Sequence, residues 1–237
     1  IFENSSIDTT ICNSTAHEIW SYAQQEKSLH SYLTKKYNQT RPWGRLIIRD
    51  VVGPANKNQE VYMRLNDQDG SNEDIFKGFS ESSELNRHLS GLSTHARFIR
   101  FANDFLAEMR KDGKRGQETK VNYKEKVIKE QKYVVLSLKY AAEFMLKKDY
   151  ADNWQSEMNE EFTFWDFDEW KKALIEIGFT VMENPNYPQQ SSRIYSNPWI
   201  IENRFKERVS LFKKVGNSLQ LLEYPATNMV LIGEKRP

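Results

Sequence analysis

The order of secondary-structure patterns in the first fifty residues limits the folding of this chain more than any other feature. Ile7–Asn13 is a β-branched run, which predicts a buried strand that ends in polar residues. Residues 16–37 predict a helix, and residues 45–52 predict a second strand. A strand, a helix of crossover length and a strand form a βαβ unit, so we expect parallel strands with a right-handed connection.

The residues that open this helix can fix where it begins. Ser14 or Thr15 can cap it, and Glu18 stands three positions after Thr15 as a capping-box partner. A turn is predicted at residues 41–44, before the second strand.

The middle of the chain has mainly helical periodicity. Residues 60–65 predict a short extended piece, whereas residues 83–110 and 133–148 predict helices. The pattern over residues 121–128 fits either a helix or a strand. A helical insertion that follows a strand overhangs the ligand-binding edge of a sheet, so we expect this segment to act as a lid or to select the substrate.

The last third of the chain predicts a helix and three strands. Asp166 or Asp168 can cap the helix, and Gly178 ends it. The strands are predicted at residues 179–183, 219–223 and 228–233. We expect the last two strands to pair with each other as an antiparallel hairpin.

These elements predict an α/β fold with a mixed sheet, parallel with an antiparallel terminal strand, and a helical insertion. The predicted segments are residues 1–70 as the βαβ portion of a core, 71–162 as the insertion, and 163–237 as the C-terminal αβ and strand pair of the same core.

Composition excludes several classes of protein. The chain has 237 residues and one cysteine, Cys12, so it has neither an internal disulfide framework nor a multi-cysteine zinc site. His30, His88 and His95 are scattered, without metal-ligand spacing. No apolar run approaches the ~20 residues of a membrane helix. The chain starts at Ile1 without a signal-peptide pattern, and we expect a cytoplasmic protein.

Residues 110–132 carry nine basic and four acidic residues, although the whole chain has a net charge of only +1. Such an excess can contact phosphates. The alternative is a solvated linker, and we favour it because no aromatic residue interleaves with the lysines and arginines between residues 110 and 122. We therefore do not expect nucleic acid as a partner.

Four pieces of the chain, in order, resemble the C-terminal half of class I S-adenosylmethionine-dependent methyltransferases. Residues 8–19 are similar to that family's fourth strand and its exit, with His17-Glu18 opening the next helix. Residues 43–50 are similar to the fifth strand, 168–181 to the late helix and sixth strand, and 228–235 to the seventh. The resemblance implies a partial Rossmann-like methyltransferase sheet.

The resemblance also implies roles for particular residues. Asn13, Ser14 and Thr15 would contact the methionine part of S-adenosylmethionine, and His17 would act as a general base. Glu18, Asp50 and Trp165 are candidate contacts to a small-molecule substrate. Each has a structural alternative: His17 and Glu18 can orient the helix start, Asp50 can pair with Arg49 or Arg45, and Trp165 can belong to the core of the insertion.

The chain departs from the family in one large respect. The family binds its cofactor on a glycine-rich turn after the first strand, and no such turn between a strand and a helix occurs in these residues. The resemblance implies that the first three strands precede Ile1, so we expect the intact parent to be the enzyme and this portion alone to be inactive. Alternatives are a non-catalytic methyltransferase-like interaction domain and a homodimer formed through an exposed sheet edge.

Overall fold

The computed structural model describes residues 2–75, 79, 81–184 and 186–237. The chain forms two compact units, and each is discontinuous in sequence. The first comprises Ile1–Ala55, Glu161–Asn197 and Ala226–Pro237, and the second comprises Asn56–Glu160 and Pro198–Pro225. These bounds differ from those of the three predicted segments.

The first unit contains three helices and five strands in its described residues. They are β1 Ile7–Asn13, α1 Ala16–Tyr22, α2 Gln25–Gln39, β2 Thr40–Val51, α8 Phe167–Ile177, β6 Thr180–Val181, β7 Arg193–Tyr195 and β10 Asn228–Glu234. Their order in the sheet is β1-β2-β10-β6, with β7 also paired to β10. The sheet is mixed: β1 and β2 are parallel, and β10 is antiparallel to β2 and β6. The predicted βαβ unit and the antiparallel terminal strand are therefore confirmed.

Helices cover one face of this sheet and form its core. Alternate residues of the central strands, such as Leu46 and Leu231, are fully buried against Leu29 of α2 and Leu174 of α8. Gly233 of β10 allows α8 to come this close, because a Cβ there would lie 2.8 Å from a methyl carbon of Leu174. Burying such side chains contributes about 1.5–3 kcal/mol each, so this face holds the unit together.

Two local predictions in the first unit are wrong. The long helix is interrupted after Tyr22, where Gln25 takes a positive φ of 48°, and a second helix continues to Gln39. The predicted turn at residues 41–44 is part of β2. Trp43 accommodates it with a positive φ of 67°, and the register of β1 against β2 shifts beside it. The sequence therefore placed a backbone irregularity correctly at residues 41–44, but it predicted a turn where the structure has a distortion within a strand.

The second unit contains the remaining elements. They are β3 Glu60–Leu65, α3 Ser82–Gly91, α4 Thr94–Asp104, α5 Ala107–Lys111, β4 Lys124–Ile128, β5 Gln131–Ser137, α6 Leu138–Lys147, α7 Trp154–Met158, α9 Pro198–Ile200, β8 Val209–Val215 and β9 Ser218–Leu222. The strands form an antiparallel sheet in the order β4-β5-β3-β8-β9.

This second sheet overturns two predictions and decides a third point. Residues 121–128, left open between helix and strand, include strand β4. Residues 133–137 belong to a strand rather than to the predicted helix, because Tyr133-Val134-Val135 is a β-branched and aromatic run. The strands near residues 219–223 and 228–233 exist but are not a hairpin: β9 pairs with β8, whereas β10 pairs with β2 in the other sheet. Sequence adjacency suggested a pairing that the hydrogen bonds do not make.

The start of α8 provides a test of local stability. The Asp166 carboxylate accepts from the amides of Asp168 and Glu169, and the Glu169 side chain accepts from the Asp166 amide at 2.7 Å, which completes a capping box. We expect Asp166→Ala to lower the free energy of unfolding by about 1 kcal/mol, because two helix-terminal amides lose their acceptor.

The measurement is urea denaturation followed by circular dichroism. Asp168→Ala is the matched control, since it removes the same charge but only an exposed contact to Lys171 at 3.0 Å. We expect the control to change the free energy by less than about 0.5 kcal/mol. Equal losses in the two variants would contradict the capping argument.

Candidate active site at the carboxyl ends of β1 and β2

The parallel strands β1 and β2 end side by side. Their Cα partners continue as far as Asn13 opposite Arg49. The amide of Ser14 donates to the carbonyl oxygen of Arg49 at 2.8 Å, so the exit from β1 is fixed to β2. Ligands of open α/β sheets collect at this edge, and most of the predicted site residues meet here.

Asp50 near the end of β2 is the most connected side chain at this edge. Its carboxylate is 1% exposed. One oxygen accepts from the amide of Ala16 at 2.8 Å. The other accepts from the amide of Val51 at 2.8 Å and lies 2.6 Å from Nδ1 of His17. A carboxylate only accepts hydrogen bonds, so this geometry places a proton on Nδ1 and makes Nε2 the basic nitrogen of the neutral ring.

Asp50 takes the capping role at the start of α1 that the sequence predicted for Ser14 or Thr15. The predicted cap of α1 by Ser14 or Thr15 is absent, since Thr15 donates to the Asn13 carbonyl oxygen and makes no side-chain cap. Asp50 itself accepts from the first amide of that helix. The alternative pairing of Asp50 with Arg49 or Arg45 is also wrong, because Arg45 bonds to Glu234 and Arg49 bonds to Asn13 and Tyr195.

The His17 ring is held from other sides as well. Only 8% of the residue is exposed, and its ring meets Phe162 edge-on with centroids 4.9 Å apart. The Ser21 hydroxyl donates to the His17 carbonyl oxygen at 2.6 Å and accepts from the amide of Glu161 at 2.8 Å. The carboxylate of Glu161 accepts from the Trp20 indole at 3.0 Å. These contacts tie the start of α1 to residues 161–162.

The rim at the exit of β1 is polar and exposed. Asn13, Ser14 and Thr15 are all exposed, and Ser14 takes a left-handed conformation with φ 50°. Arg49 donates to the side-chain oxygen of Asn13 at 3.2 Å and to the hydroxyl of Tyr195 at 3.1 Å. Tyr195 comes from β7, and no local pattern in the sequence pointed to it.

Two predicted substrate contacts lie in very different surroundings. Glu18 is exposed on α1, one residue after His17. Trp165 is 8% exposed and belongs to the core of the first unit, where its ring lies 5.5 Å from Trp20 and 5.1 Å from Trp170. Trp154, which the sequence places near the same aromatic group, belongs to the second unit.

The remaining candidates for a nucleophile or a metal ligand are Cys12 and three histidines, and each is buried or lies near a single carboxylate. Cys12 is buried in the first core, and burial raises the pKa of its thiol. The rings of His30, His88 and His95 each lie near one carboxylate. Within the described ranges no three acidic, histidine or cysteine side chains group as metal ligands.

Comparisons with known proteins give only a distant structural likeness. No protein-family model matches the chain, and no curated protein matches it. Among solved structures it is similar to a protein from Bacillus halodurans C-125 that is proposed to be a methyltransferase. The identity is 12% and the TM-score 0.36, over 100% of this chain and 73% of that chain. Among the described residues, no helix has both the length and the apolar composition needed to cross a membrane.

The tautomer of His17 is a direct test of the Asp50 contact. We expect nitrogen NMR of the neutral ring to show the Nδ1-protonated form, because Asp50 accepts from that nitrogen. His30 is the internal reference: it lies 3.7 Å from the exposed Glu26, and we expect a mixture of tautomers there. Asp50→Asn should weaken the preference at His17 alone. A predominantly Nε2-protonated His17 in the native protein would refute the assignment.

Proposed function

We propose that this chain is the C-terminal portion of an S-adenosylmethionine-dependent methyltransferase that acts on a small molecule. The observation that carries the proposal is the buried Asp50–His17 pair at the carboxyl ends of two parallel strands. A histidine held by a carboxylate suits an acceptor for the proton that a hydroxyl, amine or thiol loses on methylation. The polar rim beside it, Asn13 to Thr15, suits the binding of a polar ligand.

The architecture of the first unit supports the same proposal. The resemblance to class I methyltransferases implies an antiparallel last strand, and β10 lies antiparallel between β2 and β6. The face of the sheet opposite the helices carries Ile11, which is 70% exposed. Strand β1 pairs with β2 alone among the described strands. An open strand edge suits the docking of further strands.

The described residues fit one end of the cofactor. Asn13, Ser14 and Thr15 offer an amide, two hydroxyls and backbone groups that suit the ammonium and carboxylate of the methionine part. They offer no carboxylate for the ribose hydroxyls and no glycine-rich turn after a strand. Glycines beside the sheet, such as Gly53, serve packing: a Cβ there would meet the Thr163 backbone at 2.9 Å. When bound, the cofactor supplies an electrophilic methyl group.

The residues of this chain would then act on the substrate and its proton. His17 would accept the proton of the methyl acceptor at Nε2. Asp50 would hold the ring in that tautomer and stabilise the imidazolium. Because Asp50 and Trp165 are buried, we propose that Asp50 orients His17 and that Trp165 packs in the core beneath the site. The exposed Glu18 remains the candidate substrate contact. Methyl transfer needs alignment more than covalent chemistry, so a single base suffices.

The first experiment is calorimetry with S-adenosylmethionine. We expect no measurable binding to residues 1–237 alone, because most of the cofactor's polar groups would lack partners. We expect saturable binding to a polypeptide that also carries the segment encoded before Ile1. S-adenosylhomocysteine should compete in the second case. Absence of binding to the longer polypeptide would refute the proposal and favour a non-catalytic interaction domain.

The second experiment tests the role of His17 in the longer polypeptide. Release of S-adenosylhomocysteine is followed with a panel of small hydroxyl, amine and thiol acceptors. We expect His17→Gln to lower kcat by about 10²–10⁴ with the best acceptor, because the base is lost, and to leave the Kd for S-adenosylmethionine unchanged. His95→Gln, a half-buried histidine of the second unit beside Glu125, is the matched control. Unchanged kcat in His17→Gln would remove the base from the mechanism.

A further inference from the structure

One face of the second sheet carries a cluster of aromatic rings. Tyr62 of β3 lies opposite Phe212 of β8, and Tyr133 comes from β5. The ring centroids of Tyr62 and Tyr133 are 6.4 Å apart, and those of Tyr133 and Phe212 are 5.7 Å apart. Val61 and Met63 point to the other face, where they are fully buried and where α6 packs against β3 and β5. The aromatic face is therefore the side away from α6: Tyr62 and Tyr133 are buried on it, Phe212 is half-buried, and Leu221 is exposed.

Basic side chains lie on these rings. The Lys126 ammonium is 5.4 Å from the centroid of Tyr62, and the Arg64 guanidinium is 5.7 Å from that of Phe212. Lys126 pairs directly with Tyr133 across the two strands. Both cations are exposed, whereas Tyr62 is only 3% exposed. The side chains of Lys126 and Arg64 thus shield the aromatic rings from water.

A groove of about 400 Å³ runs over this cluster between the two hairpin tips. Three lysines line it: Lys126, Lys129 and Lys214. The described lining residues include no carboxylate, and the amides of Gln131 and Asn217 also face the groove. The acidic residues of this face, Glu60 and Glu223, lie at the ends of its strands. The centre of the face is therefore cationic, aromatic and able to donate and accept hydrogen bonds.

We propose that this face of the second unit binds single-stranded nucleic acid. Phosphates would pair with the lysines, and bases would take the place of the Lys126 and Arg64 side chains on the rings. The face spans five strands, about 19 Å at the usual strand spacing, which suits several successive nucleotides. An acidic peptide would satisfy the lysines and would leave the aromatic rings without stacking partners.

This proposal does not rest on the methyltransferase proposal, because every residue named for it belongs to the second unit. It reverses an expectation from the sequence. The basic run at residues 110–132 has no interleaved aromatic residue between residues 110 and 122, but a later part of it, Lys124–Ile128, is strand β4. The sheet brings aromatic residues from three other strands beside that strand.

The test is fluorescence anisotropy with a labelled oligonucleotide of about 12 nucleotides. We expect binding to the full chain at low salt, weaker binding to the same sequence in a duplex, and a slope of log K against log salt of about −2 for three phosphate contacts. Lys126→Glu with Lys214→Glu should weaken binding at least about tenfold, because the double change reverses two of the groove's charges.

Two further variants separate charge from stacking. Lys172→Glu with Lys206→Glu alters two exposed lysines that are not among the residues lining the groove and should leave binding within about twofold. Phe212→Leu keeps the half-buried position apolar and should weaken binding about fivefold or more through lost stacking. Circular dichroism checks that each variant is folded.

Three results would overturn the proposal. They are no binding at low salt, equal losses in the groove and control variants, and displacement of the oligonucleotide by polyglutamate at comparable charge concentration. The last result would identify the face as a site for acidic protein rather than for nucleic acid.

Discussion

The buried carboxylate of Asp50 organises the carboxyl edge of the first sheet. It accepts hydrogen bonds from two backbone amides and from His17, and so joins the end of β2 to the start of α1. A buried carboxylate is costly unless its oxygens are satisfied, and here both are. The arrangement therefore requires His17 to stay in place, since removing it would leave one oxygen with fewer donors. Structure and proposed chemistry depend on the same contact.

Sequence patterns could predict the local parts of this edge. The strand Ile7–Asn13, the cap of α8 by Asp166 and the end of α8 at Gly178 follow from residues close together in sequence, and the structure confirms each. The contact between His17 and Asp50 could not be predicted in this way, because 33 residues separate them and each has plausible local partners. Asp50 beside two arginines suggested an ion pair, whereas geometry directs it to the backbone.

The sheet of the second unit also depends on contacts between residues far apart in sequence, which local patterns do not predict. This sheet combines β3, the β4–β5 hairpin and the β8–β9 hairpin, which are far apart in the chain. Pairing of such strands depends on packing of the whole sheet, which a window of residues does not contain. The hairpin expected between residues 219–223 and 228–233 failed for this reason: each strand has a better-matched neighbour, in a different sheet.

The two units also differ in how they use charge. In the first unit the central charged group, Asp50, is buried and fully bonded, which suits fixed geometry. In the second unit the lysines of the groove are exposed, and Lys126 and Arg64 lie over aromatic rings, which suits exchange of partners. A cation on a ring in water contributes about 0.5–1 kcal/mol, so a stacked base and a phosphate can displace it at small cost. A polymer could therefore bind this face without any change in the backbone of the sheet.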